Sequence, residues 1–313
     1  MAQKRGMTAL REAVADYLTI RRALGFKLVE HERLLTDLAA FLERAGVGTL
    51  TTELAAAWAA RTRGTEGWKA ARLSVARGFA GYLRTIDAAT EVPPTGLFLH
   101  RKRYAVPYLY SDAEIGRLLA AAAALRPPLR AASHYTLIGL LAVAGMRIGE
   151  ALRLDRGDVD VHAGVLTIRN TKFGKSRQLP LHASTVQALV RYDRQRDQLC
   201  PKPNVPSFFV STRGNRMDKS AVQKAFRDLC RRVGIERPPG APQPRVHDLR
   251  HGFAVRTLLD WHRAGLDVQA RMLWLSTYLG HVEPSDTYRY LTAAPELLAL
   301  AANRLQATLG DLP

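Results

Sequence analysis

Apolar residues recur at three- and four-residue intervals along most of the chain, which is the spacing that puts them on one face of an α-helix. Over residues 7–86 this pattern predicts four helices, with the last at about 68–86. The second of them shows the spacing plainly, through Leu34, Leu35, Leu38, Phe41 and Leu42. The first part of the chain is therefore predicted to be a compact all-helical unit.

The helical pattern fails between residues 87 and 110, where Pro93, Pro94, Gly96 and Pro107 interrupt it. A short basic run, His100-Arg101-Lys102-Arg103, lies in the same stretch. We therefore predict an N-terminal domain over 1–90, a basic linker over 91–110 and a second domain over 111–313.

The second domain is predicted to be mostly helical with one small antiparallel sheet. Ser111 and Glu114 have capping-box spacing, and an apolar helix at 130–144 ends at Gly145. Alternating residues over 158–170 and 177–181 predict two or more strands joined by turns. The other predicted elements are helices at 183–199, 218–233, 247–264, 267–279 and 295–309, with a short strand around 207–211.

Charge changes this picture of an ordinary helical protein. The 313 residues include 46 Lys and Arg against 28 Asp and Glu, a net charge of +18. That balance indicates a polyanionic partner, with double-stranded DNA as the leading candidate, although an arginine-rich genome is an alternative explanation. Two cysteines, and no apolar run long enough to span a bilayer, lead us to expect a soluble protein of the reducing cytoplasm with no membrane partner.

Candidate chemistry is concentrated between residues 245 and 290. His247 and Arg250 are three residues apart on one predicted helix, so they share a face. His281 follows some thirty residues later, and Tyr290 lies nine residues beyond it. Two imidazoles, a guanidinium and a phenol suit a displacement at a phosphodiester, in which the tyrosine oxygen attacks and cations hold the charge.

Five motifs in order make the chain resemble the tyrosine recombinase (phage integrase) family. They are Gly145-Met146-Arg147-Ile148-Gly149-Glu150-Ala151-Leu152, Lys172 in its hairpin, His247-Asp248-Leu249-Arg250-His251, Leu279-Gly280-His281, and Tyr290. The resemblance implies a helical core-binding (SAM-like) domain followed by a catalytic domain. It also implies site-specific cleavage and rejoining of DNA strands through a 3′-phosphotyrosyl intermediate, without metal or ATP.

The resemblance assigns Arg147 and Arg250 to the two non-bridging oxygens of the scissile phosphate, a task that suits planar guanidinium groups. Glu150 resembles the acidic residue that orients the site around Arg147. On sequence grounds alone, a surface ion pair between Arg147 and Glu150 is the plain alternative.

The remaining roles are likewise implied by the family. Lys172 resembles the residue that protonates the departing 5′-oxygen, His247 the one that assists removal of the nucleophile's proton, and His281 a further donor to the phosphate. Tyr290 resembles the nucleophile.

Two of these assignments have competitors within the chain. Lys175 competes with Lys172, which matches the family position, and is otherwise expected to contact the DNA backbone. Tyr278 and Tyr288 compete with Tyr290. Tyr278 lies in an apolar helix, and Tyr288 should point in another direction from Tyr290 if both lie on one helical stretch.

Further DNA contacts are predicted from basic residues of the fourth helix, the linker and the hairpin, although a solvated basic face is as good an explanation for the helix. These residues are Lys69, Arg72, Arg77, Arg101, Lys102, Arg103, Lys175 and Arg177. The family resemblance implies a clamp around the duplex, four protomers on two duplexes, accessory recombinases as candidate partners, and association with the nucleoid. The rival functions are a type IB topoisomerase-like enzyme and a catalytically silent DNA-binding regulator.

Overall fold

The computed structural model describes residues 2–98, 107–169, 176–237, 243–281, 283 and 285–291. The chain divides into two compact units, Met1–Tyr104 and Ala105–Pro313, so the division falls within the predicted linker. Each unit has its own hydrophobic core. The predicted linker residues Arg101, Lys102 and Arg103, and the predicted final helix at 295–309, lie outside the described residues.

The first unit consists of the four predicted helices. They are α1 (Ala2–Ala23), α2 (Val29–Arg44), α3 (Thr52–Ala60) and α4 (Glu66–Leu83). The apolar face of α2 buries Leu35, Leu38 and Leu42 against Trp58 of α3 and Phe79 of α4. Thr51 and Thr65 cap α3 and α4, because each hydroxyl accepts a hydrogen bond from a backbone N–H of the first turn.

Two of the residues predicted to contact DNA from α4, Arg72 and Arg77, have hydrogen-bond partners inside the first unit, and their DNA contacts stay predictions. Arg72 is buried, and it donates hydrogen bonds to Asp37 and to the carbonyl oxygen of Trp58 while its guanidinium lies over the Trp58 ring. Arg77 donates instead to the carbonyl oxygens of Pro93 and Pro94. Both guanidiniums donate hydrogen bonds to acceptors within the first unit, because buried or half-buried donors need acceptors. Lys69 forms a surface ion pair with Glu66, and its DNA contact stays a prediction.

The second unit is mainly helical, as predicted. Its helices are α5 (Asp112–Ala123), α6 (Pro128–Ala144), α7 (Ile148–Ala151), α8 (Ala183–Leu199), α9 (Lys219–Arg232), α10 (Asp248–Arg263), α11 (Val268–Leu279) and α12 (Ser285–Tyr288). The predicted capping box of Ser111 and Glu114 is present at the start of α5. The apolar helix α6 is buried on most of its surface and packs against α5, α8 and α10.

Three antiparallel strands form the sheet, in the order β1 (Val159–Asp160), β2 (Val165–Ile168) and β3 (Arg177–Pro180). The register pairs Leu166 with Leu179 and Ile168 with Arg177, so the buried leucines face the core together. The sheet therefore places Arg177 at the start of β3, directly after the segment 170–175.

The strand predicted around 207–211 is wrong, because only single bridges form there, from Ser207 to Asp155 and from Val210 to Arg216. Phe208, Phe209 and Val210 are all buried, and the two phenyl rings contact the Tyr192 ring. A short apolar run is compatible with a buried strand or with a buried loop, and periodicity does not distinguish the two.

Candidate active site

The turn between α6 and α7 places Arg147. Gly145 ends α6 with φ 57°, in the left-handed region, and a Cβ atom there would collide with the Phe253 ring. Arg147 follows as the residue that caps α7. Its backbone N–H and its Nη1 each donate to the Glu150 carboxylate at 2.9 Å. Glu150, which was predicted to orient the site around Arg147, therefore hydrogen bonds to Arg147 twice.

Arg250 lies in the first turn of α10 and is 2% exposed. It donates from Nη1 to the carbonyl oxygen of Gly145 at 2.9 Å and from Nη2 to that of Leu279 at 2.8 Å. Arg147 donates from Nη2 to the next carbonyl oxygen, that of Gly280, at 2.9 Å. The two guanidiniums therefore bind consecutive carbonyls at the C-terminal end of α11, where the helix dipole favours cations.

These two cations are not fully neutralised where they meet. Burial of the Arg250 guanidinium, and then the charge of Arg147, lower the pKa of Arg250 to about 10. Among the described residues, Arg250 donates to the carbonyl oxygens of Gly145 and Leu279 and to no carboxylate. Two neighbouring guanidiniums in a partly desolvated site, of which Arg250 binds neutral carbonyl oxygens and Arg147 is paired with Glu150, form a receptor for an anion.

Tyr290 is brought into this site and is 4% exposed, and its phenol lies near enough to the Arg250 guanidinium to affect the pKa of that arginine. Its ring stacks on the His281 imidazole, with 5.9 Å between the ring centroids and 26° between the planes. Its backbone N–H donates to the carbonyl oxygen of Thr287, which closes the turn after α12. The predicted nucleophile and the two predicted arginines are therefore adjacent.

The competing tyrosines lie elsewhere. Tyr288, the last residue of α12, is 47% exposed, whereas Tyr290 in the following turn is buried. Tyr278 is half-buried, and its ring stacks on that of Phe253 with the centroids 5.5 Å apart. It therefore belongs to the core that supports α10 and α11.

Both predicted histidines border the site with lowered pKa values. Burial, followed by the charges of Arg250 and Arg147, lowers the pKa of His281 to about 4. Desolvation, followed by the charges of His251 and Arg250, lowers the pKa of His247 to about 4, although the residue as a whole is exposed. Both imidazoles are therefore neutral near pH 7, and a neutral imidazole can accept a proton.

One histidine near the site was given no role by the sequence. His251 lies one turn after His247, with 4.8 Å between the ring centroids, and 5.4 Å from the ring of Tyr290. Its Nδ1 is buried and lacks a hydrogen-bond partner among the described residues. The i, i+4 spacing from His247 on one helix was the signal that could have found it.

Arg177, which was predicted to contact DNA, is bound to partners inside the second unit, and its DNA contact stays a prediction. Its guanidinium donates to both oxygens of Glu150, at 3.2 and 2.8 Å, and from Nε to the carbonyl oxygen of Tyr278 at 2.9 Å. The side chain is 13% exposed, so most of the guanidinium is covered by its protein partners. The pairing of Glu150 in α7 with Arg177 in β3 could not be read from the sequence, because the two residues are 27 positions apart.

Lys172 and Lys175 lie outside the described residues, so their predicted roles stay predictions. Among the residues that the structure describes, no group of three or more His, Cys, Asp or Glu side chains could hold a metal ion. None of the described helices combines the length and apolar character needed to cross a membrane. Cys200 and Cys230 are free thiols.

Comparison with known proteins gives consistent matches. The model of the phage integrase family matches residues 109–296. A protein of Sinorhizobium fredii named as an integrase/recombinase is 46% identical over 307 residues, which cover 96% of this chain and 98% of that protein.

Solved structures match in fold. The Tn1549 transposon integrase in complex with transposon right end DNA has a TM-score of 0.64 at 19% identity, covering 94% of this chain and 99% of that one. The recombinase XerH bound to its palindromic difH substrate has a TM-score of 0.60 at 19% identity, covering 87% of this chain and 78% of that one.

Proposed function

Because this chain belongs to the phage integrase family, whose tyrosine recombinases exchange DNA strands, we propose that Tyr290 is its nucleophile and that Arg147 and Arg250 bind the scissile phosphate. One observation carries the proposal. The two guanidiniums bind the consecutive carbonyls of Leu279 and Gly280, and Arg250 lies beside the buried Tyr290 phenol. Each guanidinium has five N–H donors, and the hydrogen bonds to described residues use only some of them. The other N–H groups can donate to phosphate oxygens.

The proposed reaction is a transesterification. The Tyr290 oxygen attacks phosphorus and forms a phosphotyrosyl bond to the 3′ end, while the bond from phosphorus to the 5′-oxygen breaks. Arg147 and Arg250 stabilise the charge that develops on the non-bridging oxygens. This electrostatic stabilisation is stronger where water is excluded. A 5′-hydroxyl of another strand then attacks the phosphotyrosine, restores the phosphodiester and releases Tyr290. The number of ester bonds is conserved, so we propose that the reaction needs neither ATP nor a metal ion.

Proton movements are assigned to the neutral imidazoles and to the hairpin lysine. His247 accepts the Tyr290 proton, directly or through a water molecule, because its lowered pKa leaves it unprotonated near pH 7. His281 can donate one ring N–H to a phosphate oxygen while its Nδ1 is held by Thr287 at 2.6 Å. Lys172 gives a proton to the leaving 5′-oxygen.

Double-stranded DNA is the proposed partner. The net charge of +18 supports it, and affinity should fall steeply with salt because cations on DNA are released. The DNA complexes of the structural relatives agree with this partner. We further propose a clamp of the two domains on the duplex, with Lys69 and the linker arginines among the backbone contacts, and four protomers in the strand-exchange complex. The enzyme would then act on DNA of the nucleoid in the cytoplasm.

The deciding experiment traps the covalent adduct. Nicked suicide duplexes from the DNA flanking the gene are incubated with wild type, Tyr290→Phe and Tyr288→Phe, and adducts that survive denaturant are measured. We expect an adduct with wild type and with Tyr288→Phe, and none with Tyr290→Phe. An adduct that persists in Tyr290→Phe contradicts the assignment. Site-independent relaxation of supercoiled plasmid would instead favour the topoisomerase-like alternative, and tight binding without any adduct would favour a silent regulator.

A further inference from the structure

Arg177 joins three parts of the catalytic unit that are distant in sequence. It starts strand β3, it grips the Glu150 carboxylate with both terminal nitrogens, and it donates from Nε to the carbonyl oxygen of Tyr278 near the end of α11. The same carboxylate binds Arg147. Glu150 thus lies buried between two guanidiniums, one facing the proposed phosphate site and one behind it.

The geometry points to Arg177 as a positioning residue for strand cleavage, which neutralises Glu150 from behind so that Arg147 keeps its positive charge for the scissile phosphate. This inference rests on the proposed function, and it adds to that function a residue that touches neither DNA nor Tyr290 in our assignment.

The charge argument compares Glu150 with and without Arg177. Burial of the carboxyl acts to raise its pKa, and the hydrogen bond and charge of Arg177, followed by the hydrogen bonds from Arg147, outweigh burial and lower the pKa to about 2. Glu150 is therefore a permanent anion next to an anion-binding site. If Arg177 were absent, Arg147 alone would balance that anion, and its attraction for a phosphate would be weakened at short range and low dielectric.

Arg177 also supports the peptide groups that hold both site arginines. Residues 278–280 present three successive carbonyl oxygens, to Arg177, Arg250 and Arg147 in turn. The guanidinium packs directly against Gly280, where a Cβ atom would lie 2.6 Å from Nη1. Arg177 therefore holds the end of α11 on one side, and the same end binds Arg250 and Arg147 through the next two carbonyl oxygens.

Only arginine has the donors for this arrangement. A planar fork can bind both carboxylate oxygens and still point Nε toward a carbonyl oxygen, whereas a lysine ammonium is a single point charge on a flexible stem.

The test uses the full-length protein on the nicked suicide duplex, with four variants: Arg177→Gln, Arg177→Lys, the double variant Arg177→Gln/Glu150→Gln, and Arg156→Gln. Arg156 is the control, because it is also an arginine bound to carboxylates, those of Asp193 and Asp197, and among the described residues its partners lie outside the site. Three quantities are measured: the single-turnover rate of adduct formation at saturating DNA, the Kd as a function of salt, and the Tm.

We expect Arg177→Gln to slow adduct formation on the order of a hundredfold, as small displacements of catalytic groups do. Its Kd and the slope of Kd with salt should stay within about twofold of wild type, because no phosphate contact is removed. Arg177→Lys should recover only part of the rate. The double variant should be faster than Arg177→Gln, because the unbalanced carboxylate is gone, and Arg156→Gln should match wild type.

Several results would overturn the inference while leaving the proposed function intact. One is a wild-type adduct with an unchanged rate in Arg177→Gln, and another is a salt slope lowered by about one, which would mark a direct phosphate contact. A slow single variant that Glu150→Gln does not rescue would mean that Arg177 only stabilises the fold. The double variant keeps the test valid if Arg177→Gln alone does not fold. Absence of adduct in wild type would instead reject the proposed function itself.

Discussion

The Nδ1 of His281 lies 2.6 Å from the Oγ1 of Thr287, and this hydrogen bond links the end of α11 to the short helix α12. Thr287 is buried, and its carbonyl oxygen accepts the backbone N–H of Tyr290. One residue therefore orients an imidazole through its side chain and the predicted nucleophile through its backbone. The relationship sets the orientation of the ring on which Tyr290 stacks.

Thr287→Val removes this hydrogen bond while keeping the shape of the side chain. We expect adduct formation to slow roughly fivefold, the equivalent of about 1 kcal/mol for one hydrogen bond. Thr287→Ser should retain the wild-type rate, because it keeps the hydroxyl. Equal rates for the valine and serine variants would show that the hydrogen bond has no part in the chemistry.

Gly280→Ala should damage both stability and cleavage. Gly280 has φ 69°, and a Cβ atom there would meet Arg177. Gly265→Ala is the control, since Gly265 has φ 70° but open space around its Cβ position. Both variants should lose about 1 kcal/mol to backbone strain, and only Gly280→Ala should lose more and cleave slowly. Urea unfolding and adduct rates measure the two effects, and equal losses in both variants would argue against the steric part.

Folding stability should fall as the pH is lowered from about 6.5 to about 4. The pKa of His281 is about 4 in the folded chain, below the value of about 6.5 for an exposed histidine. Between these values the unfolded chain binds more protons, so its free energy drops relative to the folded chain. The contribution of His281 is fully present above about pH 6.5 and is lost as the pH falls through that window.

His281→Gln should flatten this pH dependence, measured as Tm from pH 7 to pH 4. His162→Gln, a change in the exposed turn between β1 and β2, is the control and should leave the pH dependence as in wild type. Identical pH profiles for wild type and His281→Gln would contradict the burial of a neutral imidazole at this site.

In α4, we expect Arg72 to stabilise the fold and Lys69 to bind DNA. Arg72→Gln removes the hydrogen bonds to Asp37 and Trp58 and should cost about 1–3 kcal/mol of unfolding free energy. Lys69→Gln should leave stability unchanged and lower the salt slope of DNA binding by about one. A lowered salt slope in Arg72→Gln at unchanged stability would reverse these two assignments.

The sequence by itself determined the helices and the main residues of the site. Apolar spacing located α8 at 183–199 as the structure has it, because a helix buries one face at a 3.6-residue period. Local motifs named Arg147, Arg250, His281 and Tyr290, which the fold then brings together. The choice of Tyr290 over Tyr288 followed from its position nine residues after His281.

Only the tertiary structure decided what each cation binds. Arg72, Arg77 and Arg177 have the same composition signal as DNA-contacting arginines, yet their partners are a carboxylate or carbonyl oxygens brought close by folding. The sequence shows that a residue is charged, but its hydrogen-bond partners depend on its burial and on the acceptors that the fold places nearby. Those are long-range properties, as the pairing of Glu150 with Arg177 across 27 residues demonstrates.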